Sequence, residues 1–464
     1  VAISPTVNLP AEYQKRNSDY GDLDMNFDPD SYSENERNSL DTESTRIGVT
    51  LRPSANSTLL ALYNHKDVDS TQDNTTILGA LPSPPFAPGL STTQIDDLAT
   101  KTESDQFEGA YLFDGDRFNL IAGASHVEVD RKDYLDVELK NIPIFPPPIV
   151  IGPPPVPPIV IPVPPFLVDA QVVDDVISQD IENDRGYAYG DIEVVDGINL
   201  TLGLSHDEFD GDSFDLSETN PKIGVTWDAT DELRFRGAYF EVLKPLLASN
   251  RTLEPTQVAG FNQFFDDVDA TRSKRYGIGA DWRPGQAVSL GAEWTRRELK
   301  SVTFNSMGDP VFDDRDEWTH RAYGYWAPAD RWALSLQAVY DKFENDDASL
   351  VASIVPERVR TVTVPAKAMY YHPNGIFGGV GVTYVDQEVD RTSASTLPQG
   401  DSDFALVDLS VGYRLPKRQG VVSLSVHNVF DDNFEYQDNS YREFGDEPSV
   451  APYTPERMIM GRIM

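Results

Sequence analysis

The connections between its predicted strands constrain this chain more than any other feature of the sequence. Segments such as 198–205 and 288–295 alternate apolar and polar residues, a period of two that predicts β-strands with one apolar face. Between such segments, short turns and long polar stretches alternate strictly, eight of each. The short turns are predicted at 53–56, 114–116, 196–197, 228–230, 284–285, 328–330, 373–375 and 416–420. The long stretches are predicted at 67–102, 128–184, 209–219, 242–268, 298–315, 346–356, 392–399 and 436–454.

This alternation of connections predicts a membrane barrel. A soluble sandwich has no reason to keep its long loops on every second connection, whereas a bacterial outer-membrane barrel has short periplasmic turns and long extracellular loops. The count gives 17 strands after residue 43, and bacterial barrels have even strand numbers, so one more strand is expected earlier, with 18–27 as its candidate. We therefore predict an all-β fold, a transmembrane antiparallel β-barrel of about 18 strands. Residues 1–42 form an N-terminal segment with a possible first strand, and 43–464 form the barrel.

The charge of the chain narrows its partners. It has 76 Asp and Glu against 38 Lys and Arg, a formal net charge of −38, and no Cys. Nucleic acid is excluded as a partner because this charge does not neutralise phosphates, and the lack of Cys excludes disulfides and thiolate metal sites. Since a barrel exterior must be apolar, we expect the carboxylates in the loops and the lumen, where a negative mouth attracts cations. The expected partners of the outer surface are membrane lipid and lipopolysaccharide, with divalent ions bridging carboxylates to phosphates.

Aromatic residues agree with a membrane setting. All six tryptophans fall near predicted strand ends: Trp227, Trp282, Trp294, Trp318, Trp326 and Trp332. Tyr and Trp collect at bilayer interfaces because their rings are amphipathic. We predict that these side chains belong to aromatic girdles, although aromatic residues also favour strands in general.

A proline-rich stretch stands out inside the predicted extracellular loop 128–184. Residues 141–168 include twelve prolines, which exclude a helix and favour extended polyproline II. An exposed apolar patch of this size usually marks a contact. The residues predicted to contact a partner protein are Phe145, Ile149, Ile151, Ile159, Ile161 and Phe166. Insertion into the barrel mouth and a role as a stiff spacer remain alternatives.

The sequence offers little chemistry. None of the six histidines has metal-ligand spacing, and Ser205 and His206 lie on opposite faces of a strand, so they cannot form a catalytic pair. The candidates for a cation-binding loop are Asp207, Asp210, Asp212 and Asp215, although a solvated acidic loop is the simpler interpretation. We therefore expect no enzyme activity, no catalytic residues, no cofactor and no resident metal.

The C-terminal region resembles a known family. Residues 422–431 read Val-Ser-Leu-Ser-Val-His-Asn-Val-Phe-Asp, and the residues at family motif positions are Asn428, Phe430, Asp431, Pro455 and Arg457. This pattern resembles the end of TonB-dependent receptor barrels, and Leu253-Glu254-Pro255 resembles their mid-barrel sequence, so the resemblance covers about 220–464. It implies transport of a solute or polymer across the outer membrane of a Gram-negative bacterium, without indicating the ligand.

The same resemblance leaves two functions open. Receptors of this family carry a plug domain, which residues 1–42 are too few to supply, so we expect a plug or a repeat domain upstream of Val1. Similar barrels are fused behind helical repeats in envelope proteins, which implies export, or surface assembly and anchoring, with partners docked through the proline-rich loop.

Overall fold

The computed structural model describes most of the chain. The described residues are 2–4, 6–21, 27–29, 35–80, 90–151, 159–161, 163–212, 214–249, 251–263, 267–304, 310–345, 355–393, 395, 397–438 and 452–464. Within these ranges, no helix is long and apolar enough to cross a membrane. Among the described residues, one 3-10 turn, at Pro416–Arg418, interrupts a succession of β-strands and their connections.

Strands run from one end of the chain to the other. The first twelve are β1 (Ala2–Ser4), β2 (Val7–Asn8), β3 (Ala11–Tyr20), β4 (Arg37–Ser54), β5 (Ser57–Ala80), β6 (Ser91–Asp114), β7 (Phe118–Ile144), β8 (Ile149–Ile151), β9 (Ile159–Ile161), β10 (Phe166–Val195), β11 (Ile198–Gly211) and β12 (Phe214–Asp228). The remaining twelve are β13 (Leu233–Leu243), β14 (Gln257–Val258), β15 (Phe261–Asn262), β16 (Arg272–Trp282), β17 (Val288–Phe304), β18 (Pro310–Ala329), β19 (Trp332–Asn345), β20 (Arg358–Tyr371), β21 (Ile376–Asp390), β22 (Gly400–Arg414), β23 (Val421–His427) and β24 (Met458–Ile463).

Twenty of these strands form one antiparallel sheet. Each long strand pairs with the next along the chain, from β3 to β24, and the short β1 and β2 extend the first edge beside β4. In the described part of the chain no strand pairing joins the first edge to β24. The two ends nevertheless meet, because the backbone N–H of Phe27, which follows β3, donates to the carbonyl of Tyr436, which precedes β24, at 2.9 Å. The all-β, antiparallel barrel of about 18 strands is thus confirmed.

The side chains alternate between a luminal and an outer face. On β10 the luminal side chains Asn183, Arg185, Tyr187 and Tyr189 are buried, whereas their neighbours Glu182 and Asp184 are exposed. Near the short turns the outer face is apolar, as with Leu202, Leu204, Ile223, Val225, Leu409 and Val411. An exposed apolar band of this kind is the surface that a lipid-facing barrel requires.

All eight short turns lie where the sequence predicts them, and β3 overlaps the candidate for the missing strand at residues 18–20. The long connections differ from the prediction. β7 continues to Ile144 and β10 begins at Phe166, so most of the predicted loop 128–184 forms the walls of a tall hairpin. Likewise β5 continues to Ala80 and β6 begins at Ser91, inside the predicted loop 67–102. Above the apolar band the outward side chains of these segments are mostly charged or polar, although β7 still points Val127 and Val129 inward. The segments are therefore polar on average although their backbones pair.

Tryptophans mark two levels of the barrel wall. Four lie beside the short turns and are half-exposed: Trp227, Trp282, Trp326 and Trp332. At the other level, the rings of Trp294, His320 and Tyr340 contact one another across three neighbouring strands, with centroids 6.4 and 5.4 Å apart. Two aromatic levels separated by apolar side chains agree with the predicted girdles.

Candidate functional site

One long connection folds into the lumen. This segment, residues 244–271 between β13 and β16, is called the luminal loop. It leaves the wall at the long-loop end and descends to the level of Arg236, near the beginning of β13, where Arg236 Nη1 donates to the carbonyl of Gly260 at 3.3 Å. The interior of the barrel is therefore narrowed by the chain itself.

A tight hairpin forms the tip of the luminal loop. β14 and β15 pair through Val258 and Phe261, and only Ala259 and Gly260 connect them. Both connecting residues have positive φ angles, 47° and 82°, as a type I′ turn requires. The Ala-Gly pair thus fixes a rigid, two-stranded finger inside the barrel.

The finger is seated on apolar side chains and on glycines. Val258 and Phe261 are fully buried and pack with a group of luminal residues, Tyr187, Tyr189, Phe240 and Val242. A Cβ atom on Gly277 of β16 would lie 2.6 Å from the ring of Phe261. A Cβ atom on Gly224 of β12 would lie 2.8 Å from Val258. The wall therefore has no side chain at two positions where the finger approaches it.

A buried ionic cluster fastens the luminal loop to the wall. Arg185 Nε donates to Glu254 Oε2 at 2.6 Å, and the same guanidinium pairs with Asp207. The side chains of Arg185, Asp207 and Glu254 are at most 2% exposed. Lys222 Nζ donates to Ser205 Oγ at 2.8 Å, and Tyr189 donates its hydroxyl hydrogen to Glu254. Charges this deeply buried are stable only when paired and hydrogen-bonded, so the cluster depends on the loop staying in place.

Further contacts attach both ends of the luminal loop. Glu108 on β6 accepts hydrogen bonds from Tyr187 at 2.9 Å and from Thr252 of the loop at 2.7 Å. Near the other end, Asp267 of the loop pairs with Arg297, whose Nη1 also lies 2.9 Å from Glu317. The loop is thus held on strands from both halves of the wall.

A polar cavity of about 370 Å³ lies beside this attachment. Its lining combines Arg297 and Glu317 with the hydroxyls of four threonines and two tyrosines: Thr295, Thr319, Thr361, Thr363, Tyr436 and Tyr453. The tyrosines belong to the connection between β23 and β24. In this connection Tyr436 and Phe434 pack against Phe404 of β22. The cavity therefore lies between two inward-folded connections, where a polar solute has many hydrogen-bonding partners.

The four predicted cation-loop residues are not brought together. Asp207 points into the lumen and is held by Arg185 and by Asn220 Nδ2, 3.0 Å away. Asp210 and Asp215 are exposed and lie opposite each other on β11 and β12, and Asp212 is also exposed beyond the end of β11. Because successive strand positions face opposite sides of the sheet, Asp207 is separated from the outward Asp210 and Asp215. The same geometry confirms that Ser205, buried in the lumen, cannot meet the outward His206.

The proline-rich connection reaches the top of the tallest hairpin. Phe145 and Phe166, which begin and end it, are 60% and 50% exposed. Ile149 and Ile151 of β8 pair with Ile161 and Ile159 of β9, so a small backbone hairpin replaces part of the expected polyproline II. The side chains of these four isoleucines and residues 152–158 lie outside the described part, and whether this surface contacts a partner stays a prediction.

The C-terminal motif residues build one local structure. Asp431 Oδ1 accepts the backbone N–H of Arg457 at 2.8 Å, and Arg457 Nε donates to the carbonyl of Val429 at 3.0 Å. Asn428 is buried and donates to the carbonyl of Thr454, next to Pro455, at 3.2 Å. Phe430 is 65% exposed. Asn428, Asp431 and Arg457 thus fasten β23 to the segment before β24, a structural role.

Sequence reasoning missed the luminal loop and its ionic cluster. One signal was present, because Val258 and Phe261 are apolar residues within a connection that was expected to be polar. Arg185 and Lys222 are also charged residues at luminal positions. Nothing in strand periodicity, however, indicates which connection turns inward.

Comparisons with known proteins agree with this architecture. A family model described as TonB dependent receptor-like, beta-barrel matches residues 4–429. No curated protein matches the sequence. The ferripyoverdine receptor of the outer membrane of Pseudomonas aeruginosa, bound to ferripyoverdine, matches with a TM-score of 0.64 and 14% identity, over 99% of this chain and 63% of that chain.

Two further structures have the same fold. The complex of FpvAI with pyocin S2 matches with a TM-score of 0.64 and 14% identity, over 99% of this chain and 64% of that chain. The copper transporter OprC matches with a TM-score of 0.57 and 12% identity, over 98% of this chain and 75% of that chain. The chain thus spans somewhat less than two thirds of the first two, and at these identities the likeness concerns the fold.

Proposed function

The chain belongs to the family of TonB-dependent receptor-like β-barrels of the Gram-negative outer membrane, and from this premise we propose that it carries a solute or a polymer across that membrane. The passage runs through the lumen, past the luminal loop and the polar cavity beside it. Its long connections face the cell exterior and its short turns face the periplasm. The family and fold are those of transporters and receptors.

The observation that carries this proposal is the docked luminal loop. Barrels of this size have room for an aqueous channel or a plug, and here a finger from the chain itself occupies part of that space. Its attachment combines a buried ionic cluster with a small apolar seat on glycines. An element attached in this way limits what crosses the barrel and gives it a polar site to bind in transit.

Conductance in planar lipid bilayers tests this proposal. The purified protein is compared with a variant in which residues 254–263 are replaced by a Gly-Ser linker of equal length. We expect channels that prefer cations, because the mouth is acidic. We also expect a larger single-channel conductance in the variant, because the finger no longer narrows the lumen. Silent bilayers with both proteins, despite correct folding, would contradict passage through the lumen.

A second candidate function is docking of a partner protein at the cell surface, in assembly or anchoring. Its support is the exposed pair Phe145 and Phe166 at the top of the tallest hairpin, with β8 and β9 beyond them. Exposed apolar patches of this kind mark contact sites. Pro-rich segments also bind aromatic grooves without much loss of entropy.

Removing the proline-rich connection separates the two functions. In this variant a short Gly linker joins Ile144 to Phe166. Under the transport proposal, conductance and its ion preference stay unchanged, because the variant keeps the wall strands β7 and β10 and the luminal loop. Under the docking proposal, a partner crosslinked to the intact protein on cells is lost. A drop in conductance would indicate instead that this connection belongs to the passage.

The outer surface adds lipid partners to this proposal. The apolar band contacts membrane lipid, and the outer wall above it contacts the lipopolysaccharide layer. A plug or repeat domain is a further proposed partner of the lumen.

A further inference from the structure

The outer face of the tall strands carries carboxylates in lateral rows. Row one, directly above the apolar band, pairs Tyr63 with Phe107 and Phe107 with His126 on β5, β6 and β7. Row two pairs His65, Asp105, Glu128, Glu182, Asp210 and Asp215 in sequence across six neighbouring strands. Row three pairs Asp67, Glu103, Asp130 and Asp180. The expectation that the carboxylates occupy only the loops and the lumen was therefore wrong.

Rows of like charge are unfavourable in a sheet. Directly opposite residues have Cβ atoms about 5 Å apart, and like charges at that distance destabilise the pair. Well above the apolar band, partial burial together with Asp73 and Asp136 raises the pKa of Asp97. None of the residues named in the three rows is Lys or Arg. The next row contains Lys101, whose Nζ lies 3.9 Å from Asp69. The rows therefore favour the binding of cations from outside.

At one point in these rows an imidazole joins the carboxylates. His65, Glu103 and Asp105 each offer one ligand atom, and these atoms lie within 4.8 Å of one another. Among the residues that the structure describes, they are the one group of three with this geometry. A fourth possible ligand, the carboxylate of Asp67, is near, since its Oδ2 lies 3.5 Å from His65 Nε2.

Hydrogen bonds orient the members of this group. The Tyr63 hydroxyl donates to Asp105 Oδ1 at 2.7 Å, and His65 Nδ1 lies 3.1 Å from the same oxygen. The Tyr63 ring is itself fixed against Phe107, with centroids 4.8 Å apart. Partners of this kind hold metal ligands in place and contribute to metal affinity. A loose cluster of surface acids has no such support.

Two other histidines on the outer face of neighbouring strands, His126 and His206, show why the position matters. His126 lies between Glu128 and Asp184, whose oxygens are 3.0 and 2.8 Å from its two opposite ring nitrogens, so the three groups do not converge. His206 has one carboxylate, Glu208, and the hydroxyl of Thr219. The converging geometry belongs to His65.

We propose that His65, Glu103 and Asp105 bind a divalent transition-metal ion on the outer wall of the barrel. One imidazole with carboxylates suits ions such as Zn²⁺ or Mn²⁺, whereas Mg²⁺ and Ca²⁺ prefer oxygen ligands alone. The site lies directly above the Tyr63–Phe107 pair, outside the apolar band. The ion neutralises carboxylates of rows two and three, and its remaining coordination positions face outward, where water completes them. The site is independent of passage through the lumen.

Metal titration of the folded protein in detergent tests this site. Isothermal titration with Zn²⁺, in the presence of excess Mg²⁺ to occupy simple carboxylate sites, should give one saturable site. We expect His65→Ala to weaken binding by at least about tenfold, and Tyr63→Phe to weaken it by about tenfold through Asp105. The matched control is His206→Ala, an outward histidine with a single carboxylate, which should leave the affinity unchanged.

A spectroscopic readout makes the test independent of affinity. Co²⁺ bound to an imidazole and carboxylates has visible absorption bands that differ from those of hydrated Co²⁺, and His65→Ala should abolish them while His206→Ala keeps them. Folding of each variant is checked by its heat-dependent migration on gels. The site is refuted if the wild type shows no such bands and no saturable Zn²⁺ binding. It is also refuted if the folded His65→Ala and His206→Ala variants bind equally.

Discussion

The two faces of the same strands treat charge in opposite ways. On the luminal face Arg185 is enclosed by Asp207 and Glu254, and each charge has a partner of opposite sign. On the outer face of the same hairpins, Asp130 lies opposite Asp180 and Glu128 lies opposite Glu182, so two neighbouring pairs have the same sign. The luminal charges are dry and must balance within the protein, whereas the outer charges face an aqueous layer that supplies counterions. Charges that are all paired within the protein therefore indicate a face without water, whereas rows of like charge indicate a face in contact with water and counterions.

The largest expected effect comes from breaking the luminal balance. Arg185→Leu leaves Asp207 and Glu254 buried without their shared cation, which should cost about 3–5 kcal/mol. Urea unfolding in lipid vesicles, followed by tryptophan fluorescence, measures this loss. Glu254→Gln keeps one hydrogen-bond acceptor for Arg185 and should cost less. A loss below about 1 kcal/mol for Arg185→Leu would mean that water enters the cluster and that the two faces do not differ.

A smaller effect is expected from the apolar seat of the finger. Gly277→Val adds atoms where a Cβ atom alone would lie 2.6 Å from the Phe261 ring. Such overpacking typically costs about 1–3 kcal/mol, and here it should also displace the finger and raise the single-channel conductance. The matched control is Gly186→Val on β10, where an added Cβ atom has nothing within 4 Å. Equal conductance in both variants would contradict the packing of the finger against Gly277.

The smallest effect, of opposite sign, is expected on the outer face. Asp130→Asn removes one charge from a row in which Glu103 and Asp180 lie directly opposite. The free energy of unfolding should rise by a few tenths of a kcal/mol at low salt. This gain should vanish at high salt, where surface charges are screened. Destabilisation at both salt concentrations would show that Asp130 has a partner in the protein, as the luminal charges do.

The sequence was sufficient to predict the order of strands and short turns in the barrel wall, but it did not predict how long the strands are. Every short turn was predicted, because Asp-Gly, Pro-Gly and similar pairs interrupt a clear period of two. That period has an apolar outward face only where the strands meet lipid. Above the apolar band, β7 carries Glu128 and Asp130 outward and Val127 and Val129 inward, so its outer face is charged and the segment was assigned to a loop.

The candidate site depended on information that no single segment contains. Arg185, Asp207 and Glu254 come from two strands and a loop that are brought together only by the closed wall. His65 and Asp105 likewise lie on neighbouring strands, 40 positions apart, so their spacing matches no linear metal motif. Such contacts depend on the register between neighbouring strands, which is known only once the strands are paired. The C-terminal motif was different, because Asn428, Asp431 and Arg457 are fastened locally.

The unequal strand lengths give the mouth of the barrel a direction. β10 has 30 residues, whereas β19, β20, β21 and β22 have 14 or 15. With a rise of about 3.3 Å per residue and a tilt near 45°, one rim rises roughly 35 Å above the other. As far as the described strands define the rim, the path to the opening is therefore shorter from the low side than from the tall side.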